Sequence, residues 1–194
     1  ASMTEEITEL LCREYNIDCP ACNTGNRHPR LKRDVYRAKE QEPDGHPLEL
    51  TWQAQGEIPE WVTPLHYFWG TCRRCFYTAQ IDDPDYRQWK KNEKKYLSLY
   101  AEGELEKASQ GAQAGTGPLQ VLGKGIQPGD AFGAPILRFF LGIFTEGMKA
   151  SPVAGNLARS YLRIAWLYRD EQRLYQQFTA SSGVRSLLDG AAAA

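Results

Sequence analysis

Two Cys-x-x-Cys pairs, Cys19-Pro-Ala-Cys22 and Cys72-Arg-Arg-Cys75, constrain this chain more than any other feature. A two-residue gap lets one tight turn present both sulfurs of a pair to a single ion, with turn amides left to donate to the thiolates. Two such knuckles brought together fill a tetrahedron and tie a poorly packed module shut, and binding of that kind is folding energy. The whole of Asn23–Thr71 lies between the pairs, a longer interval than in the commonest ribbons, so an insertion of strands and loops between the knuckles is expected.

Compartment decides among the uses of patterned cysteines. The acidic start "MTEEITELLCREY" has no basic n-region, and the most apolar stretch, "APILRFFLGIF", carries Arg138 and is too short to span a bilayer. A cytoplasmic protein with no membrane association is expected, and there ordinary thiols stay reduced. Structural disulfides then give way to metal or redox chemistry. A redox pair needs only one CxxC, opening a helix after a strand, and neither pair has that setting. A structural Zn2+ on Cys19, Cys22, Cys72 and Cys75 is the preferred reading, with redox and iron–sulfur chemistry as the alternatives. Four thiolates leave no open position for water, so a catalytic zinc is not expected. Cys12 is left over as a free thiol on a leader helix, and His28, His46 and His66 are expected in loops or packing.

The chain divides by composition into a four-cysteine module at 4–82 and a helical region at 83–189 with a Gly-rich connector at 109–133. Residues 17–82 hold both pairs, all three His and most β-favouring aromatics, which reads as short strands and loops. Residues 84–108 place Tyr86, Trp89, Tyr96, Leu97 and Tyr100 at roughly helical spacing, and helices follow at Pro135–Lys149 and Val153–Phe178. The fold class expected is α+β: a zinc-ribbon-like N-terminal module followed by a helical, tetratricopeptide-like bundle. "GPLQVLGKG" has the wrong spacing for a phosphate loop and puts Gly125 where Ser or Thr should ligate magnesium, so it reads as a loop.

The order "CPAC", then "LKRD" (Leu31 to Asp34), then "PLHYFWGTCRRCFYTA" (Pro64 to Ala79), then "YLRIAWLYRDE" (Tyr161 to Glu171), resembles the bacterial DUF2225 family. The likeness runs from Cys19 to Glu171, and the late helix is its most specific part. It implies Cys19, Cys22, Cys72 and Cys75 as metal ligands and a tetratricopeptide-like helical half, and it implies no catalytic residue. Three positions depart from the family pattern. Asn23 stands where Gly is usual, Arg73 replaces the knuckle Pro, and Phe76 replaces the second knuckle Gly. Asn tolerates the left-handed conformation and Phe does not, so a distorted or solvent-facing second knuckle is expected.

Two surfaces are candidates for work. On the late helix Leu157, Tyr161, Ile164, Ala165, Tyr168 and Tyr175 share one face, expected to meet the preceding helix. Arg159, Arg163, Arg169 and Arg173 share the other, with Leu162 and Trp166 among them. A Trp framed by Arg is the composition of a protein-interaction hot spot. The alternative is that this side packs under another part of the same chain, with Trp166 stacked on Arg. The second surface is Arg27, Arg30, Lys32, Arg33, Arg37 and Lys39 near the first knuckle, with Arg73 and Arg74 on the second. These charges could bind nucleic-acid phosphates, although Asp34, Glu40 and Glu42 dilute them and the net charge of −1 argues against a whole-surface nucleic-acid binder. The function expected is therefore a non-enzymatic scaffold that binds another protein or itself. The runner-up is a nucleic-acid-binding zinc ribbon using Arg27, Arg30, Lys32, Arg33, Arg73 and Arg74.

Overall fold

Ser2 sets the first helix. Its Oγ accepts the Glu5 amide while the Glu5 carboxylate accepts the Ser2 amide, which satisfies two donors the helix would otherwise leave unpaired. In this computed structural model, which describes residues 2–174 and 180–194, that helix is α1 (Met3–Leu11). It runs directly into β1 (Cys12–Asp18), which pairs antiparallel with β2 (Gly25–Leu31). β3 (Tyr36–Gln41) pairs with β4 (Pro47–Trp52), and β5 (Trp69–Thr71) with β6 (Thr78–Gln80), both antiparallel. The rest is helical: α2 (Pro84–Arg87), α3 (Glu93–Leu97), α4 (Glu104–Ala114), α5 (Pro118–Lys124), α6 (Gly133–Gly147), α7 (Ala154–Leu174) and α8 (Ala180–Ala193). This is the α+β arrangement expected, with the cysteines in the strand-rich half. Among the described residues no helix is long and apolar enough to cross a membrane.

Cys12 is not on the leader helix. It opens β1 and is buried with Ile7, Leu11, Val35, Val62 and Tyr67 in a small core of its own. The main core runs from Ile17 through Tyr77, Tyr86, Leu122, Ile136 and Leu167 to Ala191, so buried side chains pack together from both sides of residue 82.

The segment 84–108 is not one helix. Asp83 caps α2, a 3-10 turn follows at Trp89–Asn92, α3 ends by Leu97, and Gly103 at φ 78° separates α4. Tyr86, Trp89, Tyr96 and Tyr100 nonetheless all point inward, as their spacing predicts, although the backbone between them is broken. The connector expected at 109–133 is largely helical. Gly115, at φ 69°, stops α4 in the left-handed conformation, and Pro118 starts α5 at a position where its missing N–H costs nothing. Gly and Pro act here as helix punctuation.

On α7 the buried stripe is Ser160, Ile164, Leu167 and Glu171, spaced i, i+4, i+7, i+11, with Asp170 beside it. The face expected inside is only partly so: Ile164 is buried and Leu157 and Tyr168 are half-buried, but Tyr161 is 54% exposed and Ala165 is exposed, while Tyr175, like the helix end expected at Phe178, lies outside the described residues. Hydrophobicity alone set the stripe off by part of a turn because α7 packs on α6 and also holds the β3–β4 hairpin, largely through polar contacts and the His46–Trp166 stack.

Candidate metal centre

Each CxxC closes a hairpin, and the two closures share one backbone pattern. In the first, between β1 and β2, the Cys19 amide donates to Thr24 O (2.9 Å) and the Asn23 amide to Cys19 O (2.8 Å). In the second, between β5 and β6, the Cys72 amide donates to Tyr77 O (2.8 Å) and the Phe76 amide to Cys72 O (3.1 Å). The matching amides two residues on, Ala21 and Arg74, each donate to a sulfur at 3.4 Å. The residue after each pair is left-handed, Asn23 at φ 56° and Phe76 at φ 60°. Phe76 therefore takes the conformation that usually calls for Gly. The second knuckle is neither distorted nor solvent-facing, since Cys72 and Cys75 are fully buried and Phe76 packs its ring on Gly123.

The knuckles meet. The Arg73 amide donates to Asn26 Oδ1 (2.9 Å), fastening the second closure to β2. Cys19 Sγ lies 3.5 Å from Cys75 Sγ, and Cys22 Sγ lies 3.6 Å from Cys72 Sγ. All four sulfurs fall within 4.8 Å of one another. A disulfide requires about 2.05 Å, so these are four thiols. A tetrahedron of sulfurs about 2.3 Å from a central ion has edges of about 3.8 Å, and the observed spacing fits it.

Titration behaviour follows from the crowding. Hydrogen bonds with Cys22, Cys72 and Cys75, and burial, hold the Cys19 thiol well above the ordinary range. The hydrogen bond with Cys19 pulls Cys22 down to about 6, and hydrogen bonds with Cys19 and Cys75 lower Cys72. Without a cation the cluster shares its protons unequally. A bound divalent ion supplies the charge that lets all four ionise. Cys12 behaves differently, since burial pushes its thiol up to about 12 and keeps it inert.

The long insertion between the knuckles has a task of its own. The turn of the β3–β4 hairpin, closed by Gly45 at φ 87°, lies on α7. His46 is buried there with Nδ1 2.6 Å from Glu42 Oε2 and Nε2 2.9 Å from Asp170 Oδ1. Trp166 stacks on the His46 ring at 5.5 Å between centroids and donates Nε1–H to Asp44. Arg169 binds Glu42 and Asp44, Arg173 donates to Leu48 O, and Arg163 sits 4.5 Å over the Phe68 ring. Of the α7 residues proposed from sequence for a partner, Trp166, Arg163, Arg169 and Arg173 are thus engaged within the chain. The stacking partner of Trp166 is His46 rather than Arg. Arg159, Leu162 and the neighbouring Tyr161 remain exposed.

The basic residues are partly engaged as well. Arg27 pairs with Glu14, Arg30 with Asp82, and Lys32 donates to the Glu9 and Leu10 carbonyls at the end of α1. Arg27 and Arg73 do converge, on one cavity that also holds Lys124 and Arg138. Arg138 was visible in sequence only as a lone cation in an apolar run. Asp170 and Trp166, the distant partners of His46, were not legible, because they lie more than a hundred residues away.

A family profile described as an uncharacterized protein conserved in bacteria (DUF2225) matches residues 13–184. No curated protein and no solved structure matches the chain.

Proposed function

The chain belongs to the DUF2225 family, and from that premise we propose that it is a non-enzymatic, zinc-containing interaction protein. The observation that carries the reading is the convergence of four thiols from two hairpins on one buried point. Soft thiolates in a closed set of four favour zinc in a structural role, with no open position for a substrate or water. The ion would be held by Cys19, Cys22, Cys72 and Cys75, and it would supply the positive charge that keeps both knuckles shut. With the knuckles fixed, β2 and the β3–β4 hairpin are anchored at both ends, and the hairpin in turn braces α7. The exposed residues of α7, Arg159, Tyr161 and Leu162, then serve as the contact for another protein. A stable, apolar-centred patch on a rigid helix is suited to that task.

The test is co-purification from the native host with the wild type and with Leu162→Glu, both checked for folding and metal content. A stoichiometric partner retained by the wild type and lost by the variant supports the reading. A partner retained by both, or salt-dependent binding of DNA or RNA that falls with Arg73→Ala and Arg74→Ala, opposes it. The latter result favours a nucleic-acid role.

A further inference from the structure

A second site lies on the far side of the second knuckle. A cavity of about 580 Å³ opens where α1, β2, the β5–β6 knuckle, α5 and α6 come together. That volume is in the range of small-ligand sites. Its lining combines aromatic groups (Trp61, Tyr67, Trp69, Phe76) with the cations Arg138, Arg73, Arg27 and Lys124. Asp130 is the carboxylate on the lining, and its Oδ1 is already occupied by the Phe132 and Gly133 amides at the start of α6.

Arg138 is the anomaly. It projects from α6, an otherwise apolar helix, and among the described residues no carboxylate pairs with it and no hydrogen bond satisfies its guanidinium. Burial lowers its pKa and only Tyr67 opposes that, but an Arg keeps its charge in any protein interior. Arg138 is half-buried and its nitrogens stay accessible, so its fork is free to take a counter-charge that enters the cavity. The neighbouring rings cannot serve. His66 spends its ring nitrogens on Ala131 O and on Thr63, and His28 spends Nε2 on the Tyr86 hydroxyl. Burial holds both imidazoles at about 4, so they add no charge near neutral pH. Trp69, on the same lining, keeps its Nε1–H buried without an acceptor. The cavity therefore offers a five-donor planar fork and further cations, and the Asp130 carboxylate on its lining is paired with none of them.

We propose that this cavity binds a small organic molecule bearing an oxyanion, carboxylate or phosphate, with the oxyanion on Arg138 and an apolar or aromatic body against Trp61, Tyr67 and Phe76. The inference goes beyond the proposed interaction role and does not depend on it, and the metal content of each sample is measured alongside so that the two can fail separately. The probes are phenyl phosphate and benzoate, titrated into the whole metal-loaded chain against sodium chloride of equal ionic strength and followed by amide NMR. The expected result is saturable binding of at least one probe, with the largest shifts at Ala131, Ala134 and Arg138. Arg138→Met, which keeps the stem and removes the fork, should weaken it about tenfold or more, as expected for loss of a charge-assisted hydrogen bond. Arg73→Ala, on the exposed rim and away from any packing role, should weaken it less. Whichever probe binds tighter identifies the headgroup. Shifts no larger than with chloride, shifts spread over the exposed basic surface, or equal binding by Arg138→Met would overturn the proposal. If Arg138→Met does not fold, the shift map and Arg73→Ala still decide.

Discussion

Gly123→Ala is a small change with a large expected effect, because Gly123 is one place where the four-cysteine half touches the helical half. A Cβ built there falls 2.0 Å from Phe76 Cγ and 2.3 Å from both Cδ atoms. Carbon atoms rest about 3.5–4 Å apart, so the ring must retreat by about 1.5 Å or more. It has little freedom to do so. Its backbone is pinned at φ 60°, its amide is bonded to Cys72 O, and its neighbour Cys75 belongs to the sulfur cluster. Overpacking of this kind costs about 1–3 kcal/mol, against which Ala returns about 1 kcal/mol of helix propensity, leaving a net loss of up to about 2 kcal/mol. Phe76→Gly relieves about 1 kcal/mol of left-handed strain and forfeits about 2 kcal/mol of half-buried ring. In the Phe76→Gly background the added methyl meets no ring, so Gly123→Ala should now stabilise by about 1 kcal/mol. The effect of one substitution therefore depends on the identity of the other, and the coupling equals the overpacking cost, about 1–3 kcal/mol. Denaturant unfolding of the four metal-loaded proteins measures it. Equal effects in both backgrounds, or a Gly123→Ala that stabilises beside Phe76, would refute the proposed packing.

Two further outcomes are expected. Trp166→Ala loses the stack on His46 and the bond to Asp44, together about 2 kcal/mol, and should make the β3–β4 turn the first site of limited proteolysis; a loss under about 0.5 kcal/mol with an unchanged cleavage pattern would mean the hairpin does not depend on this contact. For pH, burial lowers His28 and His66 from an ordinary 6.5 to about 4. Between those values the unfolded chain binds more protons than the folded one. The stability each ring contributes is therefore complete above pH 6.5 and lost as pH falls toward 4, on the order of 3 kcal/mol per ring. Nitrogen-15 NMR of the imidazoles checks this directly, apart from any acid release of metal, and a midpoint near 6.5 for either ring would contradict its burial.

The four-cysteine cluster was legible because its chemistry is local: sulfur at fixed spacing within each turn, repeated once, specifies a knuckle whatever surrounds it. Asn23 and Phe76 show the same local legibility. Their place after each pair marks a left-handed position, and what the sequence could not show was that Gly123 leaves room for the Phe76 ring. The helical half was read less well wherever a distant partner decides. The glycines of residues 109–133 look like a loop until Gly115 is seen as a helix stop and Pro118 as a helix start. On α7 the hydrophobic tally favoured Tyr161 and Ala165. The buried stripe instead takes in Ser160 and Glu171, with Asp170 at its side answering His46 from the far end of the chain. Trp166 looked like a hot spot for another molecule for the same reason, since its partner arrives from a hairpin that no local pattern links to it.

Metal analysis of protein purified without added metal, with thiols counted before and after chelation, tests the central claim most directly. One zinc per chain is expected, with four thiols released by chelator and the folded signal lost as the two knuckles separate. A metal-free chain that stays folded, or one in which Cys19, Cys22, Cys72 and Cys75 are recovered as disulfides, would contradict it.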